Sequence, residues 1–189
     1  MKKIVISLLA VLMVACAHSP VEIQVRPQVD VAPEAFGTGF SVSVQGANKL
    51  PGGGLGSLGG IYADQSQVRL GNNVEDALAE TLKEGFRNWS FEPVFSGADV
   101  QVVASLTSLK YDSPNGLVTS KVDSSAEVQL AVTIGGSTYY GNYRSSGKDR
   151  NLIKPAKEEV EGRINGLLSA TLQRAFEDEK LKSFLRANL

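Results

Sequence analysis

The sequence predicts an α+β fold: a twisted, mainly antiparallel sheet with two long helices packed on one face and a short C-terminal helix. Three observations predict it. Apolar residues recur at helical spacing from Val74 to Trp89 and again from Val160 to Ala175, whereas from Asp99 to Ser145 the period falls to two. The period-two segments are joined by Pro114-Asn115-Gly116 and Gly135-Gly136, connections too short for a parallel crossover. Their polar positions share one face, as in an antiparallel sheet covered on one side only.

The first stretch, Met1 to Ser19, reads as an address and an anchor. Lys2 and Lys3 make a positive start, Ile4 to Val14 a short apolar run, and the small Ala15 precedes Cys16. The run is well short of the ~20 residues that cross a bilayer, so it reads as a cleaved signal peptide. Leu12-Met13-Val14-Ala15-Cys16 resembles the lipobox of bacterial lipoproteins, with Met13 where a leucine is usual. The resemblance implies that the Cys16 thiol is acylated, as with palmitate, that the bond before it is cut, and that the new amino terminus is acylated too. Three such chains hold a protein in a bilayer almost permanently, at about 0.8 kcal/mol per buried methylene. The alternative is an ordinary thiol after a cleaved signal. The signal architecture and the lack of a second cysteine both favour lipidation. Ala17 stands where an aspartate would retain such proteins in the inner membrane, so the implied destination is the periplasmic face of the outer membrane.

The expected organisation is therefore a signal peptide over residues 1–15, a lipidated tether over 16–20, and one periplasmic domain over 21–189 with a glycine-rich loop at 51–60. Removing residues 1–15 leaves 174 of the 189, enough for a single core. Losing Lys2 and Lys3 takes the formal charge from −1 to −3, which argues against nucleic acid as a partner. No disulfide can form within the chain, and the one histidine, His18, lies in the tether.

Beyond the tether, Val21, Ile23 and Val25 alternate with Glu22, Gln24 and Arg26 as a first strand. Pro27 and Pro33 then mark an edge strand or extended arm, since proline cannot donate to an interior ladder. Phe40, Val42 and Val44 make a second strand. The loop PGGGLGSLGG contains a G-x-G-x-x-G at Gly54, Gly56 and Gly59, but Ile61, Tyr62 and Ala63 do not open the helix that a dinucleotide fingerprint requires. It reads as a hairpin connection, with Gln67 to Leu70 pairing back as a strand.

Asn72 or Asn73 caps the first helix, whose stripe Val74, Ala77, Leu78, Leu82, Phe86 and Trp89 faces the sheet and makes Trp89 a core residue. Glu75 and Asp76 suit its positive end, Lys83 and Arg87 its negative end. Val100 to Leu106 forms the next strand. The span Leu117 to Ile134 is long for one strand and predicts a bulge near Asp123 to Ser125. Thr138 to Ser145 closes the sheet. Pro155 opens the second helix, in which Gly162 and Gly166 read as sites of close packing. Glu177, Asp178 and Glu179 read as the acidic start of a final helix docked by Leu181, Phe184 and Leu185, not as a cation site.

The last strand carries Tyr139, Tyr140, Tyr143 and Arg144, and alternation puts Tyr139 and Tyr143 on one face, Tyr140 and Arg144 on the other. Tyr140, Tyr143 and Arg144 are the candidate partner-binding residues, because amphipathic rings suit a protein or glycan surface. The bland reading, tyrosines packing across strands, stands beside it. Ser145 to Lys148 spells Ser-x-x-Lys but lacks the Ser-Asp-Asn and Lys-Thr-Gly elements of penicillin-recognising enzymes.

The lipobox, the segment NNVEDALAETLKEGF, the strand Asn142-Tyr143-Arg144-Ser145 and the ending INGLLSATLQRAFEDEKLKSFLRANL together resemble the YajG family of bacterial outer-membrane lipoproteins. The glycine loop Gly52 to Gly60 departs from that pattern as an insertion. The resemblance covers nearly the whole chain and implies a periplasmic domain on a lipid anchor, without catalytic residues.

Three functions are weighed. A non-catalytic interaction or accessory module of the envelope, with an envelope protein, peptidoglycan or lipid as partner, needs only the anchor, the polar sheet face and the tyrosine strand. A lipid or lipopolysaccharide carrier would need an apolar cavity between helices and sheet. An enzyme would need a carboxylate pair or a Ser-Lys arrangement, and neither occurs at convincing spacing. No metal or cofactor is expected.

Overall fold

Among the described residues eight strands form one mixed sheet that curls into a half-barrel. The computed structural model describes residues 20–52, 54–58, 67–113, 120–151 and 155–189. The expected signal peptide, Cys16, His18, Gly59 and the expected turn Pro114-Asn115-Gly116 lie outside them. In chain order the strands are β1 Val21–Ile23, β2 Ser41–Asn48, β3 Gly56–Ser57, β4 Gln67–Leu70, β5 Glu92–Pro93, β6 Val100–Asp112, β7 Ser120–Ile134 and β8 Ser137–Asn151. The helices are α1 Val74–Asn88, α2 Lys157–Phe176 and α3 Glu179–Asn188.

This corrects the expected mainly antiparallel sheet under two long helices. Strands β6, β7 and β8 do form an antiparallel meander, but β2 runs parallel to both β5 and β6, β3 parallel to β6, and β1 parallel to β4. The reason is connectivity: α1 lies between β2 and β6 and returns the chain in the same direction, and apolar period carries no record of strand direction. The helices are short, at 15, 20 and 10 residues. Pro155 precedes the N-cap Ala156, so α2 starts later than expected. The Asp178 side chain accepts the Lys180 N–H at 2.9 Å and caps α3 as a separate helix.

The expected bulge is also displaced. It falls on β6 between Leu106 and Ser108, where β6 parts from β2, which it accompanies to Leu106, and goes on to pair β3 at Tyr111 and Asp112. In β7 the register with β8 runs unbroken from Ser120 to Ile134. Gly135 and Gly136, with φ of 55° and 88°, make the two-residue turn that only such backbones accept cheaply.

On the inner face, Leu78, Leu82 and Phe86 of α1 and Ile164, Leu168 and Leu172 of α2 are buried with the inward residues of β6 and β7. Phe86, Trp89 and Phe176 meet edge to face at centroid distances of 5.0–5.7 Å where the C-terminal ends of α1 and α2 come together. Gly85 permits this approach, since a Cβ there would lie 2.2 Å from the Phe176 ring. Gly162 and Gly166, expected at close contacts, have open space beside them. The anticipated helix–helix use of glycine therefore belongs to Gly85.

The segment after β1 is an extended arm laid between α1 and α2. The backbone N–H groups of Gln24, Arg26, Gln28 and Asp30 donate to Glu161, Asn165, Ser169 and Gln173, at 2.9, 2.6, 2.9 and 2.9 Å. Two arm residues advance about 6.6 Å and four helical residues about 6.0 Å, so the two ladders stay in step. Asn165 and Gln173 also donate back to the carbonyls of Gln24 and Asp30, taking the place of a neighbouring strand. On the other side Asn72 grips both backbone groups of Val25, and the Thr81 hydroxyl donates to the Pro27 carbonyl. The odd residues Val25, Pro27 and Val31 face the core. At the far end Glu34 pairs with Lys182 at 3.0 Å and Arg186 at 2.5 Å, tying the arm to α3.

Candidate functional site

Strand β8 has two unlike faces, and the candidate site is the outer one. Alternation along a strand sends odd residues of β8 inwards and even residues outwards. Gly141, Tyr143 and Ser145 are buried, whereas Thr138, Tyr140, Asn142, Arg144, Ser146, Lys148 and Arg150 are exposed.

Inside, the strand is locked to α3. The hydroxyls of Tyr139 and Tyr143 both donate to one oxygen of Asp178, at 2.5 and 2.8 Å, and Tyr139 packs on Phe184 with centroids 5.8 Å apart. Burial, with the hydrogen bonds around Tyr139 and Asp178, pushes the Tyr143 phenol far above its usual range. Burial also works to raise the Asp178 carboxyl. The two tyrosine hydrogen bonds and the amides of Lys180 and Leu181 outweigh it and hold that carboxyl below its ordinary value. Tyr143, only 8% exposed, is thus part of the fold's interior and out of reach of a partner on the outer face.

Outside, Tyr140 is 65% exposed and stands in register with Ala131 of β7, which in turn faces Val103 of β6, itself 38% exposed. Among the described large apolar side chains, Phe95, Val103 and Tyr140 are the exposed ones, and two of the three lie on this line. Polar residues flank it: Gln101, Thr133 and Thr138 on one side, Gln129 and Asn142 on the other. Arg144 lies opposite Glu127 in register without an ion pair between them among the described contacts. The outer face therefore presents a narrow amphipathic band with a cation beside it, suited to association with another surface.

The sequence brings Tyr140 and Arg144 to this face as expected from alternation. It gives no sign of Val103 and Ala131 beside them, since that depends on the register of three strands. Ser145 and Lys148 point to opposite faces, so Ser-x-x-Lys does not converge on a site. The described residues contain no group of three or more His, Cys, Asp or Glu placed to hold a metal ion, and no described helix is long and apolar enough to cross a membrane.

A family model described as uncharacterized lipoprotein matches residues 27–186. No curated protein matches the sequence. Among solved structures, protein XCC0632 of Xanthomonas campestris has a similar fold, with a TM-score of 0.51 at 9% identity over 81% of this chain and 91% of its own. A homolog of a neuraminyllactose-binding hemagglutinin from Helicobacter pylori aligns with a TM-score of 0.43 at 8% identity over 84% and 95%. Lipoprotein GNA1162 of Neisseria meningitidis aligns with a TM-score of 0.30 at 16% identity over 74% and 99%.

Proposed function

This chain belongs to a family of uncharacterized lipoproteins, and from that premise we propose that it is a non-catalytic interaction module of the bacterial envelope. Its anchor is the acylated Cys16, and its place is the periplasmic face of the outer membrane. The residues that carry the finer reading are Leu12 to Cys16, the small Ala17 in place of a retaining aspartate, and the segments that resemble the YajG family. Acyl chains on Cys16 supply the attachment that no described helix supplies.

The observation that supports the binding role is the outer band of Val103, Ala131 and Tyr140, with Arg144 beside it, on a sheet face that no described helix covers. A partner burying this band gains an aromatic anchor and a cation, the residue types that dominate protein interfaces. The carrier alternative has less support. The space between helices and sheet is filled by Leu78, Leu82, Phe86, Trp89, Ile164 and Leu168, and the groove of about 550 Å³ along the arm is lined by polar and charged groups such as Arg26, Gln28, Asp76 and Glu80.

The test is photo-crosslinking in living cells with a reactive group at Tyr140 and, as control, at the exposed Lys180 of α3. Discrete protein adducts at Tyr140 and none at Lys180 are expected. Adducts to lipid at Tyr140 would favour the carrier, and absence of adducts would remove the chosen face from consideration.

A further inference from the structure

The outer edge of β8 is the longest free strand edge among the described residues. The strand runs fifteen residues, about 50 Å when extended, and pairs only with β7. Which backbone groups are free follows from the hairpin. Ile134 and Ser137 flank a two-residue turn and therefore exchange both of their hydrogen bonds, and in an antiparallel pair such residues alternate. The odd residues of β8, through Gly141, Tyr143 and Ser145, thus spend their N–H and C=O groups on β7. The even residues Thr138, Tyr140, Asn142, Arg144, Ser146, Lys148 and Arg150 aim theirs away from the sheet, and the same residues have exposed side chains.

Natural proteins blunt such an edge with proline, a bulge, a short strand or a covering segment. Among the described residues β8 has none of these: its register with β7 is continuous, it contains no proline, and no described strand pairs with its outer edge. What it has is charge of one sign at the outward even positions of one end, Asp149 between them being paired with Arg163 of α2 at 3.1 Å. Among the described residues none of Arg144, Lys148 and Arg150 has a carboxylate within 4 Å, Asp123 being taken by Lys121 at 3.5 Å. Two copies pairing antiparallel about the strand centre would set Arg144 against Arg144, so the charge opposes self-association. It favours an occupant whose carboxylates fall on alternate positions.

We propose that β8 takes an extended acidic segment of an envelope protein as a ninth strand, its backbone bonding to the even residues from Thr138 to Arg150 and its carboxylates meeting Arg144, Lys148 and Arg150. Main-chain bonds supply affinity and the alternate side chains supply selectivity. This rests on the reading of β8 as a partner surface and names the partner's chemistry.

The probe is a labelled nine-residue peptide alternating glutamate with threonine, titrated into the full-length protein in detergent. A peptide with lysine for glutamate is the control. Binding of the acidic peptide, at least tenfold tighter than the control, is expected, with slowed amide exchange at the even residues of β8. Asn142→Pro removes one outward donor without touching the β7 ladder and should weaken binding at least tenfold. Should that variant not fold, R144E with K148E keeps the test, since it should invert the preference towards the lysine peptide. Acidic-peptide binding that survives Asn142→Pro without exchange protection, preference retained by the charge-swapped protein, or no binding would each overturn strand addition. Protein crosslinks at Tyr140 that persist in cells despite Asn142→Pro would overturn it too while leaving the interaction module standing.

Discussion

The Tyr143 hydroxyl lies 2.8 Å from the same Asp178 oxygen that receives Tyr139, so one carboxylate holds the last strand of the sheet to the last helix of the chain. That carboxylate does two jobs, since its other oxygen caps α3.

Asp178→Ala is expected to destabilise the fold by about 2–4 kcal/mol, as it removes a cap and leaves a buried phenol without its acceptor. The pH dependence has a definite sign. The folded carboxyl sits below its unfolded value, so its stabilisation is present in full above about pH 4 and is lost as pH falls through the folded value. Denaturant unfolding between pH 7 and pH 2 should show a steeper acid loss in the wild type than in the variant. Equal slopes would mean that the charge contributes nothing.

The arm is expected to open independently of the core. N165A with Q173A removes two of the four rungs from α2, each contributing about 1 kcal/mol. Amide exchange should accelerate at Arg26 and Asp30 while the β6–β7 ladder keeps its protection. Uniform acceleration would show that arm and core open together.

Glycines of α1 and α2 should respond with opposite sign. Gly85→Ala forces Phe176 to move and is expected to cost about 1–3 kcal/mol. Gly162→Ala and Gly166→Ala enter open space in a helix and should each add up to about 1 kcal/mol of stability. Thermal melts of the three variants decide it, and a destabilised Gly166→Ala would contradict the open space seen there.

Cys16→Ala is expected to abolish incorporation of labelled fatty acid and to move the protein out of the membrane fraction. Retention in the membrane without the label would point to an attachment other than the anchor.

Local patterns were legible where one element alone decides them. Asn73 caps α1, whose helical residues run from Val74 to Asn88, Trp89 is fully buried, and Gly135-Gly136 turns the chain, all as spacing and residue type imply. The alternation of Tyr139 and Tyr143 against Tyr140 and Arg144 was equally readable. The Asp178 acceptor was not, because it is 35 and 39 residues from its donors and resembles any helix cap. The arm ladder had a trace in the polar residues Glu161, Asn165, Ser169 and Gln173, four apart, but such a row on a helix is ordinarily a solvated face.

By itself the sequence determined the apolar periods, caps and turns, and the motif at Cys16, since these depend on residues adjacent or one helical turn apart. Only the tertiary structure decided which strands run parallel, that Gly85 and not Gly166 meets a neighbouring helix, and that β8 is the last strand of the sheet among the described residues. Those outcomes depend on how α1 carries the chain from β2 to β6 and on which edge is left uncovered, and period-two alternation is the same for a central strand and an edge strand covered on one face.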